Sequence, residues 1–283
     1  ESLGNLSRVV LLNLSNNQLT GAIPDSLCTL PDINNLDFSH NMLSGSIPAE
    51  LGILPELQFL ILSNNQLTGP VPVGLANLDK IKNITLSHNQ LTGEIPPELG
   101  ELNNLETLDL AFNQLSGSIP TELDNLTFLK TLVLNHNLLS GSVPADFLSL
   151  SYLEDVAIHN NQLEELPEFS RYVVSGYLSF FKVYSNKFTF EDIEPNLDIC
   201  PYFAYAPQDS VGIAKDTTIN QGDDITLSVE VGGTANRYQW MKDGKDILGA
   251  TASSYHITNA GQGHPGSYIC RITNTMATLL TLY

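Results

Sequence analysis

The chain has 283 residues, enough for about two domains, and 42% of them are hydrophobic. Its 12 basic residues stand against 31 acidic ones, giving a formal net charge of -19. Such a charge repels phosphate backbones and anionic lipids, which argues against nucleic acid and membrane surfaces as partners. The sequence has no apolar run long enough to span a bilayer, so we expect no membrane insertion.

A segment of 24 residues repeats along the first two thirds of the chain. Six copies keep strict register, and their shared asparagines are Asn17, Asn41, Asn65, Asn89, Asn113 and Asn137. A seventh copy follows at Asn161 and a degenerate eighth at Asn186. Because a turn this short cannot bury its own leucines, the period predicts a solenoid of about eight stacked turns.

Each repeat alternates inward and outward residues and then bends. In the second repeat Leu36 and Phe38 flank Asp37, which predicts a short strand whose alternate side chains point inward. Asn41 follows where the chain leaves the strand, and its amide can satisfy backbone groups that the bend removes from the ladder. Gly45 permits a backbone conformation closed to other residues. Successive strands are predicted to stack into a curved parallel β-sheet, with an irregular or 3-10 convex side.

The full pattern, LxxLxLxxNxLxGxIPxxLxxLxx, resembles the plant-type leucine-rich repeat. The resemblance implies a leucine-rich-repeat domain over residues 1–195. We expect residues 196–208 to form a capping segment and linker, and residues 209–283 to form a second domain. A curved sheet of this kind is suited to gripping a large partner.

The second domain changes to short alternating strands separated by glycine and aspartate turns, such as ITLSVEV, RYQWMKDG and SYICRIT. This part resembles an all-β immunoglobulin-like sandwich. Trp240 matches the core tryptophan of that family, and Tyr268, two residues before Cys270, matches its tyrosine corner. Val229 stands where the family has its first cysteine, so the resemblance implies that Cys270 is unbridged within its domain. A bridge from Cys200 to Cys270 stays open as the alternative.

Together, plant-type repeats and an immunoglobulin-like domain without its disulfide resemble surface proteins of Bacteroidetes-type bacteria. This resemblance implies an extracellular or cell-surface location. The three cysteines lie far apart and lack the spacing of a metal or redox site.

The outward strand positions are the candidate binding surface. Some of these outward positions carry apolar side chains that would contact water in the free protein, as binding hot spots often do. They are Phe59 with Ile61, and Phe112 with Val133. We predict that the partner-binding residues of the concave face are Asn35, Asp37, Phe59, Ile61, Asn83, Thr85, Asp109, Phe112, Val133, Asp155, Lys182 and Tyr184. The alternative is that single exposed apolar residues are ordinary on protein surfaces.

The motifs of the chain do not assemble a nucleophile, a base and an orienting group, so we predict no enzyme, no cofactor and no metal site. His40, His88 and His136 recur in alternate repeats. Stacked strands place them about 10 Å apart, too far for one metal ion. His136 and His159 lie in adjacent repeats and could approach each other, as a solvated pair rather than as ligands.

We therefore predict a non-catalytic extracellular recognition or adhesion protein that binds a protein or polysaccharide through the concave face. The immunoglobulin-like domain would act as spacer or cap. An inhibitor of a secreted glycosidase stays open, because the repeats resemble those of plant polygalacturonase-inhibiting proteins. Binding to ice or a crystal surface is a third alternative, since Thr85, Thr107 and Thr131 could order water, although they do not keep one column.

Overall fold

The computed structural model describes residues 8–169, 177–212 and 214–283. Within these residues, nine short strands stack in parallel and in chain order into one sheet. They are Leu11–Asn13, Asn35–Asp37, Phe59–Ile61, Asn83–Thr85, Thr107–Asp109, Thr131–Val133, Asp155–Ala157, Phe180–Lys182 and Tyr202–Ala204. Each pairs with the strand one repeat away, so that Leu60 lies beside Leu36 and Ile84. The predicted parallel solenoid is confirmed.

The inward face of this sheet carries the core. Leu36, Leu60, Ile84, Leu108 and Leu132 occupy the middle of successive strands, and each is at most 1% exposed. Complete burial of such a side chain contributes about 1.5–3 kcal/mol. Since the same column recurs in every turn, the solenoid is stabilised by contacts between neighbouring repeats.

A second parallel sheet follows the bend of each repeat. Its strands are Thr20–Gly21, Met42–Gly45, Gln66–Gly69, Gln90–Gly93, Gln114–Gly117, Leu138–Ser142 and Gln162–Glu165. The return path runs through 3-10 turns at Asp25–Thr29, Ala49–Ile53, Val73–Asn77, Pro97–Glu101, Thr121–Asn125 and Ala145–Ser149. Gly45 has a φ of 78°, in the left-handed region that favours glycine, as its place in the repeat predicted.

The predicted asparagine column is also confirmed. The Asn113 side-chain amide donates to the carbonyl oxygens of Leu86, Leu110 and Ala111, and its oxygen accepts the N–H of Leu91 at 3.0 Å. The same arrangement recurs one repeat before and one repeat after. Each asparagine therefore joins two turns by satisfying backbone groups that the bend leaves unpaired.

The end of the solenoid departs from the repeat. A short α-helix at Phe190–Ile193 and a 3-10 turn at Glu194–Asn196 precede the ninth strand, which pairs with Phe180–Lys182. This strand, Tyr202–Ala204, lies in the segment that we expected to be cap and linker. Gln208 then takes the role of the ladder asparagine, because its amide donates to the Val183 carbonyl and its oxygen accepts the Asn186 N–H.

The C-terminal domain is an antiparallel sandwich, as predicted. Ile225–Ser228 and Ser254–Ile257 form one pair, and Asn236–Lys242, Lys245–Asp246, Tyr268–Asn274 and Thr281–Leu282 form the other sheet. Buried Trp240 lies directly opposite Cys270. The thiols of Cys28, Cys200 and Cys270 are all free. The Tyr268 hydroxyl donates to the His264 carbonyl at 2.8 Å, which is the tyrosine corner.

A half-buried carboxylate joins the two domains. Glu194, just after the terminal helix, accepts hydrogen bonds from the N–H and hydroxyl of Thr234, at 2.9 and 2.7 Å, and from the Asn274 amide. A Cβ at Gly233 would lie 2.6 Å from the Phe190 Cβ, so only glycine fits there. Burial raises the pKa of Glu194, but these hydrogen bonds outweigh it and hold the pKa below its ordinary value.

Candidate functional site

The outward side chains of the concave sheet form two parallel rows, because the strands pair without a shift. The first row is Leu11, Asn35, Phe59, Asn83, Thr107, Thr131, Asp155, Phe180 and Tyr202. The second row is Asn13, Asp37, Ile61, Thr85, Asp109, Val133, Ala157, Lys182 and Ala204. The rows bring together all the predicted binding residues except Phe112 and Tyr184.

Phe112 does not lie on a strand, which corrects our interpretation of it as an outward strand residue. Its strand ends at Asp109, and Phe112 sits in the following bend with a φ of 53°. There its ring is stacked between those of His88 and His136, with centroids 4.1 and 4.0 Å away. The alternation of inward and outward residues therefore stops before Phe112. Its side chain is 39% exposed and lies at the rim of the face.

The stack of rings continues along the same rim. His136 meets His159 edge to face at 5.6 Å, so the two rings approach each other as predicted, but His159 is buried and the pair is not the solvated one that we expected. His159 stacks on Tyr184 at 4.3 Å. Burial, and then the charges of His136 and Lys182, lower the pKa of His159 to about 4. Burial also lowers the pKa of His136. Both imidazoles are therefore neutral at neutral pH.

Two carboxylates of the second row are engaged within the protein. Asp109 accepts hydrogen bonds from the Ser87 hydroxyl at 2.6 Å and from the Ala111 N–H at 3.1 Å. Burial raises the pKa of Asp109, while these hydrogen bonds oppose that change. Asp37 accepts from the hydroxyl and the N–H of Ser39. These side chains hold the bend in place, a structural role that their outward position did not indicate.

The most exposed aromatic residues of the face lie at its C-terminal end. Phe180 is 40% exposed and Tyr202 is 66% exposed, and their ring centroids are 5.3 Å apart. The Lys182 ammonium lies 5.7 Å from the centre of the Phe180 ring. Phe59 and Ile61 are half-buried in the N-terminal half. Sequence reasoning missed Tyr202 because the ninth strand lacks the consensus leucines.

Among the residues that the structure describes, two polar atoms near that end have no hydrogen-bond partner. They are Oδ1 of Asp155 and Nδ1 of His159, and both are buried. Ala157 lies between the two residues in sequence and fills the second-row position with a methyl group only. In the part of the chain that the structure describes, no cluster of three or more metal-binding side chains is found, and no helix is long and apolar enough to cross a membrane.

Known families match both parts of the chain. The Leucine Rich Repeat family matches residues 8–30, 32–54, 56–78, 80–102, 104–126 and 128–150. The chain belongs to the leucine-rich-repeat proteins. An Immunoglobulin domain family matches residues 211–274, so this leucine-rich-repeat protein carries an immunoglobulin-like domain. None of the curated protein sequences matches it.

Several solved structures similar to this leucine-rich-repeat protein come from plants. The peptide hormone receptor RGFR1 in complex with RGF2 is 33% identical over 74% of the present chain and 34% of its own, with a TM-score of 0.69. The Arabidopsis HAESA LRR ectodomain with an IDA peptide hormone ligand is 32% identical over 66% and 31%, with a TM-score of 0.63. A plant ice-binding protein is 27% identical over 74% and 68%, with a TM-score of 0.63. The chain thus spans about a third of the two receptor chains.

Proposed function

We propose that this leucine-rich-repeat protein is a non-catalytic extracellular recognition or adhesion protein that binds its partner through the concave sheet. The observation that carries the proposal is the pair of outward rows. They form one continuous surface nine strands long in the described residues, and they end in the exposed rings of Phe180 and Tyr202. Exposed aromatic side chains on a rigid scaffold are common anchors of binding surfaces.

The similar structures support a partner outside the cell. RGFR1 is a peptide hormone receptor, and the HAESA ectodomain was solved with a peptide hormone ligand. A protein, a peptide or a polysaccharide is therefore the proposed class of partner. The net charge of -19 favours one with basic groups on its surface. The resemblance to Bacteroidetes-type surface proteins stays a prediction, and so does inhibition of a secreted glycosidase.

Ice binding is a second candidate, favoured by one observation. The threonines first considered are split between the two rows, since Thr85 lies in the second row and Thr107 and Thr131 in the first. The second sheet instead offers one hydroxyl per turn, although Ser44 pairs with Gln66 and Thr68 with Gln90, so the hydroxyls are not direct neighbours. These residues are Thr20, Ser44, Thr68, Thr92, Ser116 and Ser140. A plant ice-binding protein shares the fold. Ice recrystallisation assays at equal protein concentration test this candidate directly.

A pair of matched variants tests which surface binds. Thr131→Arg places a bulky side chain in the middle of the concave sheet, and Thr92→Arg does the same on the second sheet. We expect Thr131→Arg to weaken binding of the labelled full chain to cells and cell-wall material of its source at least tenfold. Thr92→Arg should bind normally. The opposite pattern would overturn the proposal and favour the second sheet.

A further inference from the structure

The seventh repeat lacks a side-chain hydrogen bond that the first two repeats make. In the second repeat the outward Asp37 accepts the hydroxyl of Ser39 two residues later. The equivalent residues in the seventh repeat are Ala157 and His159, and alanine has no acceptor to offer. His159 is only 8% exposed, yet its Nδ1 has no hydrogen-bond partner in the described part of the chain. A buried polar group left unpaired costs about 1–3 kcal/mol, so such an atom calls for an explanation.

A second unpaired atom lies on the other side of the alanine. Asp155 precedes Ala157 by two residues on the same strand, so its side chain points to the same face. Its Oδ1 is buried and has no hydrogen-bond partner among residues 8–169, 177–212 and 214–283. The polar atoms of Asp155 and His159 thus flank a position where the side chain is reduced to a methyl group.

A lysine adds a hydrogen-bond donor beside this position. Lys182 pairs directly with Ala157 on the neighbouring strand. Within the described residues Lys182 makes no ion pair, unlike Lys80, Lys130 and Lys187. Its charge also lowers the pKa of the His159 imidazole, after burial and the charge of His136.

Exposed rings complete the arrangement. Phe180 pairs with Asp155, and Tyr202 pairs with Phe180, so the first row continues from the carboxylate into two exposed aromatic side chains. The rings are tilted by 41° to each other, so they do not stack face to face. The Tyr202 ring, at the last strand of the sheet, is the more exposed of the two.

We propose that Asp155, His159, Lys182, Phe180 and Tyr202 form a subsite for a neutral sugar residue of a glycan. The inference rests on the proposed function and names its ligand class. A hydroxyl group can donate to the carboxylate and accept from the ammonium at once, and neighbouring hydroxyls of one sugar can reach both groups. The apolar face of the sugar ring packs on an exposed aromatic ring.

The charges on the two sides disfavour the other ligand classes. Asp155 and Lys182 carry opposite charges, so the attraction of a ligand carboxylate or ammonium to one of them is offset by its repulsion from the other. A purely apolar side chain would leave both unpaired atoms without a partner. A neutral group that both donates and accepts hydrogen bonds avoids each of these costs.

The test measures binding of the full chain to neutral β-glucan, mannan and galactan oligosaccharides by calorimetry, with polygalacturonate as the charged comparison. Tyr202→Ala and Asp155→Asn should each weaken binding of the preferred neutral oligosaccharide at least tenfold. The matched controls are Tyr152→Ala and Glu154→Gln, which change an exposed ring and a carboxylate outside the subsite, and they should bind normally. Melting temperatures check that all four variants fold.

The outcomes separate this inference from the proposed function. If no neutral oligosaccharide binds, or if only polygalacturonate binds, the subsite is wrong. A protein partner that is lost with Thr131→Arg but unaffected by Tyr202→Ala and Asp155→Asn would leave the concave face as the binder and overturn the subsite. If oligosaccharides bind equally to Thr131→Arg and to all the subsite variants, both proposals fail.

Discussion

The two halves of the concave sheet share one scaffold and differ in what they present. In both, the same leucine column fills the core and the same asparagine ladder joins the turns. The residue before each ladder asparagine changes, however, from isolated polar side chains such as Asn16 and Asn64 to the stacked rings of His88, Phe112 and His136. Inward positions are thus uniform because packing dictates them, whereas the outward positions are free of that constraint and differ between the two halves.

The largest expected difference is between inward and outward residues of one strand. Leu132 is fully buried, and Leu132→Ala should cost about 2–5 kcal/mol through lost burial and a residual cavity. Thr131→Ala, on the outward side of the same strand, should change stability by less than about 0.5 kcal/mol. Urea denaturation of both variants measures this. Equal losses would contradict the assignment of the two faces.

The ladder should matter more inside the solenoid than at its N-terminal edge. Asn137 is buried, and its amide and carbonyl bond to the backbone of Leu110, Leu134 and Leu115. Asn137→Ala should therefore cost about 1–3 kcal/mol, because it leaves buried backbone groups unpaired. The same change at Asn17, which is exposed, should cost clearly less when measured by thermal unfolding. If Asn17→Ala lowered stability more than Asn137→Ala, the buried ladder hydrogen bonds would not be what stabilises the interior turns.

The apolar anchors of the two halves can be compared directly. We expect Phe59→Ala and Phe112→Ala each to weaken partner binding about tenfold, which corresponds to about 1.4 kcal/mol. If binding is centred on the C-terminal half, Phe112→Ala should weaken binding more than Phe59→Ala. It also removes the ring that stacks between His88 and His136. Surface plasmon resonance with the identified partner measures both. A large effect confined to Phe59 would move the site to the N-terminal half.

A smaller effect concerns pH. Burial, followed by the charges of His136 and Lys182, lowers the pKa of His159 from 6.5 to about 4. The unfolded chain therefore takes up this proton more readily, so the stability due to neutral His159 is full above pH 6.5 and declines as the pH falls towards 4. His159→Ser should flatten this part of the stability curve.

The sequence was sufficient to predict the architecture because each residue type that the fold requires recurs at the same position in successive repeats. The 24-residue period predicted the strands, the core column and the asparagine ladder. It was insufficient for Tyr202, because Phe203, Tyr205 and Gln208 replace the consensus leucines and asparagine of that turn. The unpaired Nδ1 of His159 could not be predicted either, since it results from the absence of a neighbouring acceptor and not from a motif.

Hydroxyl-radical footprinting of side chains, with and without the partner, tests most directly that binding lies at the C-terminal end of the concave sheet. Phe180 and Tyr202 are exposed and reactive, so a bound partner should protect them strongly. Leu248, which is fully exposed on the immunoglobulin-like domain, serves as the internal reference and should keep its reactivity. Protection of Leu248 with unchanged reactivity of Phe180 and Tyr202 would contradict the account and make the solenoid the spacer.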